Sequence, residues 1–126
     1  MKIVIDDKIP YIRDAISRIT DDAVYLKGSE IGPGDVRDAD ALIVRTRTRC
    51  DEKLLSGSRV KFVATATIGF DHIDAAYLER AGIEWMSCPG CNSASVAQYL
   101  RSVLILLKRD KGMRPESSTI GIVGCG

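Results

Sequence analysis

The chain has 126 residues, of which 45% are apolar and 28% are charged, a composition typical of one globular domain. Eighteen basic residues against seventeen acidic residues leave a net charge of +1, so no overall field attracts a polyanion and no nucleic-acid partner is expected. The longest uninterrupted apolar stretch, Val103 to Leu107, is far shorter than the roughly 20 residues of a membrane helix, so no membrane partner is expected either.

The beginning of the chain predicts a cytoplasmic location. Asp6 and Asp7 interrupt the region that would have to be apolar in a secretory signal. In the cytosol thiols stay reduced, so we expect free cysteines and no disulfide framework. The cysteines are Cys50, Cys88, Cys91 and Cys125.

Short apolar runs along the chain predict β-strands that are buried on both faces. Their apolar residues are consecutive rather than alternating, which is typical of a parallel sheet covered on both sides. The runs comprise residues 3–5, 41–44, 62–66, 83–86 and 120–123. A weaker run at 24–26 is a further candidate strand.

The first helix is predicted after residue 9. Apolar residues recur there at the spacing of one helical face, and Pro10 is suited to a first helical turn. The apolar face consists of Ile12, Ala15, Ile16 and Ile19.

Further helices are predicted between the later strands. Residues 51–55 indicate a short helical turn, and residues 74–81 indicate a helix that ends at Gly82 in a left-handed conformation. Because strands and helices alternate, the pattern predicts an α/β fold, a mostly parallel sheet with flanking helices.

A longer helix is predicted over residues 92–111. Asn92 is suited to cap its first turn, while Ser95 and Gln98 have the spacing of a capping box and offer an alternative start. Gly112 is expected to end it. Its apolar face consists of Val96, Leu100, Val103, Leu104 and Leu107.

The last residues contain the beginning of a nucleotide-binding motif. After a short linker at 113–118, an apolar strand leads into Gly124-Cys125-Gly126, a Gly-x-Gly sequence. A complete dinucleotide-binding fingerprint would add a third glycine, a helix and an acidic residue about 20 positions further on. Gly124 and Gly126 are therefore candidate cofactor-binding residues of an incomplete site.

Three segments resemble the D-2-hydroxyacid dehydrogenases and occur in that family's order. They are Ala-Thr-Ile-Gly-Phe-Asp-His-Ile-Asp at 66–74, Pro-Gly-Cys-Asn-Ser-Ala-Ser-Val-Ala at 89–97, and the glycine motif at 121–126. The resemblance implies a flavodoxin-like substrate domain, NAD as cofactor, and oxidation of a small phosphorylated 2-hydroxy acid at its C2 hydroxyl.

The same resemblance implies a division of the chain into three parts. Residues 1–91 would form the amino-terminal part of the substrate domain, and residues 92–112 would form an interdomain helix. Residues 113–126 would form a linker and the first strand of a truncated NAD-binding Rossmann domain. The catalytic arginine, glutamate and histidine of the family would follow residue 126, so no catalytic residue is assigned and the chain alone is expected to be inactive.

Candidate substrate-binding residues follow two of the predicted strands. The resemblance places Thr46 and Thr67 at hydroxyl positions that contact substrate, although threonines at strand ends also hydrogen-bond loop backbone. Arg45, Arg47 and Arg49 alternate along the chain, so an extended backbone would place their guanidinium groups on one side. Such groups match phosphate oxygens, and Arg45 is the preferred candidate; a solvated loop edge is the alternative.

Two other features invite different interpretations. Cys88 and Cys91 form a Cys-x-x-Cys sequence before a predicted helix, as in a thioredoxin-like thiol-disulfide module. A further alternative is another 2-hydroxyacid dehydrogenase, which would act on a different 2-hydroxy acid. His72, the lone histidine, lies in a segment shared with the family and is interpreted as structural together with Asp74; no metal site is expected, because a second ligand is missing.

The long helix also predicts an oligomer. In the family it rests against the cofactor domain, and without that domain its apolar face would be exposed. We therefore expect self-association, as a homodimer, through the helix at 92–111 or through the predicted strand at 120–123.

Overall fold

The computed structural model describes residues 1–123, which belong to two compact units, residues 1–89 and residues from 90 onward. The first unit contains a parallel sheet of five strands in the order β2-β1-β3-β4-β5. This is the strand order of flavodoxin-like folds, and it confirms the predicted α/β class. The strands are β1 (Ile3–Asp6), β2 (Ala23–Leu26), β3 (Ala41–Val44), β4 (Phe62–Thr65) and β5 (Glu84–Met86).

Short helices connect the strands, and one long helix belongs to the second unit. The first unit contains α1 (Ile12–Ile16), α2 (Pro33–Val36), α3 (Glu52–Leu55) and α4 (Ala75–Arg80). The second unit contains α5 (Ser93–Lys111) and a 3-10 turn at Pro115–Ser117.

The core lies on both faces of the sheet, as the consecutive apolar runs predict. Val4, Leu42 and Val63 occupy adjacent positions on β1, β3 and β4 and belong to the larger core cluster, on one face. Ile3 and Ile5, which alternate with Val4, pack with Ile16 of α1 in a second cluster. Consecutive residues of one strand thus enter different clusters on opposite faces, so consecutive positions must be apolar.

The prediction of burial on both faces is wrong for the last strand of the sheet. Glu84 and Met86 are exposed, and Trp85 between them is half-buried. The reason is that β5 forms one edge of the sheet and, within residues 1–123, pairs with a strand on one side alone.

The first two helices differ from the sequence prediction. α1 begins at Ile12, after Tyr11 in a left-handed conformation with φ 60°, and it ends at Ile16, so Ile19 lies beyond it and is exposed. α2 was not predicted, because Val36 is its single buried residue and gives no apolar periodicity.

The later helices follow their predictions more closely. Asp74 caps α4 by accepting a hydrogen bond from the Tyr77 backbone N–H at 3.0 Å, and Gly82 beyond it has φ +68°. α5 ends at Gly112 in the left-handed region, as predicted. It begins at Ser93 rather than at the alternative start, and the Asn92 side chain makes no capping hydrogen bond.

The second unit does not contain the strand predicted at residues 120–123. Residues 120–122 have no regular secondary structure, and Val123 is in a bend. A parallel strand forms through hydrogen bonds to a neighbouring strand, and residues 90–123 contain no strand that could provide them. Gly124, Cys125 and Gly126 lie outside the described residues, so the cofactor-binding role of the two glycines stays a prediction.

Within residues 1–123, no helix combines the length and the apolarity needed to cross a membrane.

Candidate substrate site

A cavity of about 450 Å³ lies at the carboxyl edge of the sheet, where β1, β2 and β3 end. In open parallel sheets this is the edge at which ligands bind, because the loops after neighbouring strands meet there. The cavity is lined by Asp6, Lys8, Lys27, Gly28, Ser29, Arg45, Thr46 and Arg47.

The arginine segment turns rather than running straight. The Thr48 backbone N–H donates to the Arg45 carbonyl at 3.3 Å, which closes a turn over residues 45–48. The backbone is therefore not extended here, and the condition under which the three guanidinium groups would share one side is not met. As a result Arg45 and Arg47 line the cavity, whereas Arg49 pairs with Asp51 at 3.2 Å and does not line it.

The cavity is predominantly cationic. Four of its lining side chains are basic, and Asp6 is its one carboxylate. Lys27 is paired with Glu30 at 2.9 Å, but neither Arg45 nor Arg47 forms a salt bridge within residues 1–123. Two arginines without carboxylate partners are suited to bind a phosphate, since a guanidinium group can donate two parallel hydrogen bonds to it.

Gly28 allows the loop after β2 to pack closely against the end of β1. A Cβ atom at this position would lie 3.1 Å from Thr48 Oγ1 and still closer to Asp6 Oδ2. The Thr48 hydroxyl, which is buried, donates to the Gly28 carbonyl at 2.7 Å. A glycine is therefore required here by close packing, and the contact fixes the loop that follows β2.

A separate hydrogen-bonded chain lies at the end of β4. The His72 Nε2 atom is 2.9 Å from Thr65 Oγ1, which is 2.6 Å from Thr67 Oγ1, and the Thr67 hydroxyl donates to the Gly69 carbonyl at 2.9 Å. Each hydroxyl has one proton. Because Thr67 gives its proton to Gly69, Thr65 must donate to Thr67, and Nε2 of His72 must carry the proton that is donated to Thr65.

This chain changes the role that Thr67 can have. With its proton given to the Gly69 carbonyl, the Thr67 hydroxyl cannot donate to a carboxylate or phosphate, but it retains a lone pair that can accept a hydrogen bond. His72, which is buried, is held by Thr65 and supports the loop, in agreement with its interpretation as structural.

The stability of the fold should depend on pH through His72. Burial lowers the pKa of His72 below its ordinary value of 6.5, although the nearby Asp71 carboxylate opposes this. The unfolded chain then binds a proton more readily than the folded chain, so stability is complete above about pH 6.5, falls as the pH falls below that value, and levels off below the folded-state pKa.

We expect His72→Gln to flatten this pH dependence, because glutamine keeps an N–H donor and does not titrate. Urea unfolding of both proteins between about pH 7 and pH 5 measures how the free energy of unfolding changes with pH. This range lies above the pH at which most carboxylates titrate. Parallel profiles for the two proteins would contradict the assignment.

The cysteines within residues 1–123 fall into two groups. Cys50 is buried behind the turn, and its burial, together with the Asp51 charge, raises the pKa of its thiol to about 12. Cys88 and Cys91 are exposed and free. We expect iodoacetamide at neutral pH to modify Cys88 and Cys91 and to spare Cys50, as peptide mass spectrometry would show. Modification of Cys50 at the same rate would contradict its placement.

Sequence reasoning found Arg45 and Thr46 but missed much of this cavity. Asp6, Lys8, Lys27 and Gly28 contribute to it from the ends of β1 and β2. The available signal was their position directly after predicted strands, because the carboxyl ends of neighbouring parallel strands share one edge. Thr67 does not line this cavity.

The strand order and the cationic cavity define a flavodoxin-like α/β domain with an edge suited to a small anion. The sequence model described as "D-isomer specific 2-hydroxyacid dehydrogenase, catalytic domain" matches residues 4–119. The chain belongs to this family of 2-hydroxyacid dehydrogenases, which confirms the resemblance found in its motifs.

Individual relatives agree with that membership. The chain is 61% identical over its whole length to an erythronate-4-phosphate dehydrogenase of Bacteroides fragilis, covering 36% of it, and 44% identical to one of Escherichia coli O157:H7, covering 33%. It is also similar to the NAD+-bound 3-phosphoglycerate dehydrogenase of Entamoeba histolytica, with 28% identity and a TM-score of 0.66 over 90% of this chain and 41% of that one. The chain thus spans about a third of the length of its curated relatives. These matches do not favour the thioredoxin-like alternative.

Proposed function

We propose that this chain is the amino-terminal part of a 4-phosphoerythronate dehydrogenase. The enzyme would use NAD to oxidise the C2 hydroxyl of 4-phospho-D-erythronate to the 2-oxo acid, a step of pyridoxal phosphate (pyridoxine) biosynthesis in the cytoplasm. The observation that carries the proposal is the cavity at the carboxyl edge, where Thr46 lies beside Arg45 and Arg47, neither of which has a carboxylate partner among residues 1–123. The substrate is that of the erythronate-4-phosphate dehydrogenases to which the chain is similar.

The residues of this chain would bind and orient the substrate. Arg45 and Arg47 would hold the phosphate, and the Thr46 hydroxyl would donate to a substrate oxygen. Arg45 is already oriented, because its Nη1 donates to the Lys8 carbonyl at 3.2 Å. Thr67, whose proton is given to Gly69, would accept a hydrogen bond from a substrate hydroxyl.

Hydride transfer needs groups that we do not assign to this chain. NAD would accept the hydride, and Gly124 and Gly126 would approach its pyrophosphate. The base and the other catalytic groups of the family follow the positions matched here, so residues 1–126 alone should not turn over substrate.

The test is an assay of the full-length enzyme with NAD and 4-phospho-D-erythronate, in which the absorbance of the reduced cofactor measures turnover. We expect turnover that saturates with this substrate and is much slower with an unphosphorylated 2-hydroxy acid such as D-lactate. Residues 1–126 alone, the matched control, should give no reduced cofactor. An equal preference for D-lactate, or no turnover of 4-phospho-D-erythronate, would contradict the proposal.

We also propose that the protein forms a homodimer through the helix at 92–111. The apolar side chains of α5 include Val96, Leu100 and Ile105, which are exposed, and no residue of this helix is buried. Light scattering should give a molecular mass twice that of one chain. The Leu100→Lys variant should give the mass of a monomer. A monomer at every working concentration would contradict this.

A further inference from the structure

One carboxylate lies among the cations of the cavity. Asp6 ends β1 and is 2% exposed, so its side chain is almost entirely enclosed by protein. Its Oδ1 atom accepts a hydrogen bond from the Lys8 backbone N–H at 2.9 Å, whereas Oδ2 has no hydrogen-bond partner within residues 1–123. Among those residues Asp7 Oδ1 is the one fully buried side-chain oxygen or nitrogen without a partner, so Asp6 Oδ2 is not fully buried and keeps a small exposed surface. Asp6 is also one of the residues that line the cavity.

The cations around Asp6 do not satisfy this oxygen directly. The Lys8 ammonium group lies 3.6 Å from Asp7 Oδ2, and the Arg45 guanidinium group donates to the Lys8 carbonyl. Neither forms an ion pair with Asp6 among the described residues. An enclosed acceptor of this kind is costly unless a ligand or water provides a donor.

The chemistry of Asp6 selects the group it can bind. A carboxylate accepts hydrogen bonds and does not donate them, so it repels a phosphate and attracts a hydroxyl group. A cavity with arginines for an anion and one carboxylate for a hydroxyl is complementary to a phosphorylated acid with a hydroxyl near its phosphate.

We propose that Asp6 is a specificity-determining residue that accepts a hydrogen bond from the C3 hydroxyl of 4-phosphoerythronate. The inference rests on the proposed function, in which Arg45 and Arg47 bind the phosphate on C4. C3 is bonded to C4, so a hydroxyl there is close to the bound phosphate. Acids that lack this hydroxyl would leave Asp6 Oδ2 without a donor and would bind weakly.

The surrounding structure holds Asp6 in place for this role. Gly28 packs against its carboxylate with no room for a side chain, and Thr48 fixes Gly28 through its carbonyl. A group fixed in this way needs little reorganisation when a ligand arrives, which sharpens selection between ligands.

The first arm of the test uses the unaltered chain and two ligands. Calorimetric titration of residues 1–126 compares 4-phosphoerythronate with 2-hydroxy-4-phosphobutyrate, which lacks the C3 hydroxyl. We expect the deoxy acid to bind about tenfold more weakly or worse, as is typical when a charged acceptor loses its donor. Equal affinities, or binding of neither ligand, would overturn the inference.

The second arm uses Asp6→Asn, which keeps the size of the side chain. The amide oxygen can still accept from the Lys8 N–H, and this places the amide NH2 group where Oδ2 was. We expect the preference for the C3 hydroxyl to fall at least fivefold and the affinity for inorganic phosphate to rise. Asp7→Asn, which alters a neighbouring carboxylate outside the cavity, should leave the preference unchanged. An unchanged preference in a folded Asp6→Asn protein would contradict the inference.

These measurements separate the inference from the proposed function, because binding to residues 1–126 requires neither NAD nor turnover. Turnover of 4-phosphoerythronate by the full-length enzyme without any preference for the C3 hydroxyl would overturn the role of Asp6 alone. A clear preference in binding by residues 1–126, together with no turnover by the full-length enzyme, would overturn the proposed reaction alone.

Discussion

Leu42→Ala should lower the free energy of unfolding by about 2–5 kcal/mol, a large part of the roughly 5–15 kcal/mol that stabilises a typical domain. Leu42 is 0% exposed at the middle of the sheet, where its β3 position pairs with Val4 and Val63 on the two neighbouring strands. The substitution removes apolar contacts and leaves a cavity that these strands cannot close, because each is fixed by its own hydrogen bonds.

Urea unfolding followed by fluorescence measures the effect. Trp85, the single tryptophan, is half-buried and packs against Phe70 with ring centroids 5.2 Å apart, so its emission reports the folded sheet. Ile19→Ala is the matched control: Ile19 is 61% exposed, and its loss should cost less than about 0.5 kcal/mol. Similar costs for both substitutions would contradict the placement of the core.

Arg47→Ala should weaken the binding of 4-phosphoerythronate by about ten- to a hundredfold, the usual effect of removing a charged hydrogen-bond donor from a phosphate. Arg47 lines the cavity and has no carboxylate partner within residues 1–123. The loss should be smaller at high salt, since part of the attraction is electrostatic.

Arg49→Ala provides the control for this prediction. Arg49 is two positions along the same segment, but it pairs with Asp51 and does not line the cavity, so its loss should change the affinity little. Calorimetric titration of both variants measures the difference. Equal losses would mean that net charge, rather than the turn at 45–48, determines binding.

The alternating arginines show what a sequence pattern can and cannot establish. If the backbone is extended, the alternation predicts that the guanidinium groups of Arg45, Arg47 and Arg49 lie on the same side of the chain. The backbone turns instead, because the buried Thr48 hydroxyl bonds to Gly28, 20 residues earlier in the chain. A contact so distant in sequence leaves no local periodicity, so the position of Arg49 could not be predicted.

The strands were more predictable because their burial leaves a local signal. The consecutive apolar residues of β1 and β3 indicate two covered faces, and both faces are covered. The same signal at 83–86 overestimated burial, since position at an edge depends on strand order and not on composition. α2, with Val36 as its one buried residue, had no periodicity to detect.

A smaller part of the candidate site was accessible to sequence reasoning. Thr46 and Arg45 were found through motifs and strand ends. Asp6 and Lys27 were missed because they come from β1 and β2, whose position beside β3 follows from the order of strands in the folded sheet.

The most direct test of this account is the location of the substrate on the sheet. Residues 1–126, isotope-labelled for NMR, are titrated with 4-phosphoerythronate. The changes in the amide resonances report which backbone groups the ligand approaches. The account predicts the largest shifts at Lys8, Gly28, Thr46 and Arg47, on the carboxyl edge. Shifts centred on residues 58–61, Gly82 and Glu84, which line a cavity at the amino ends of β4 and β5, would contradict it.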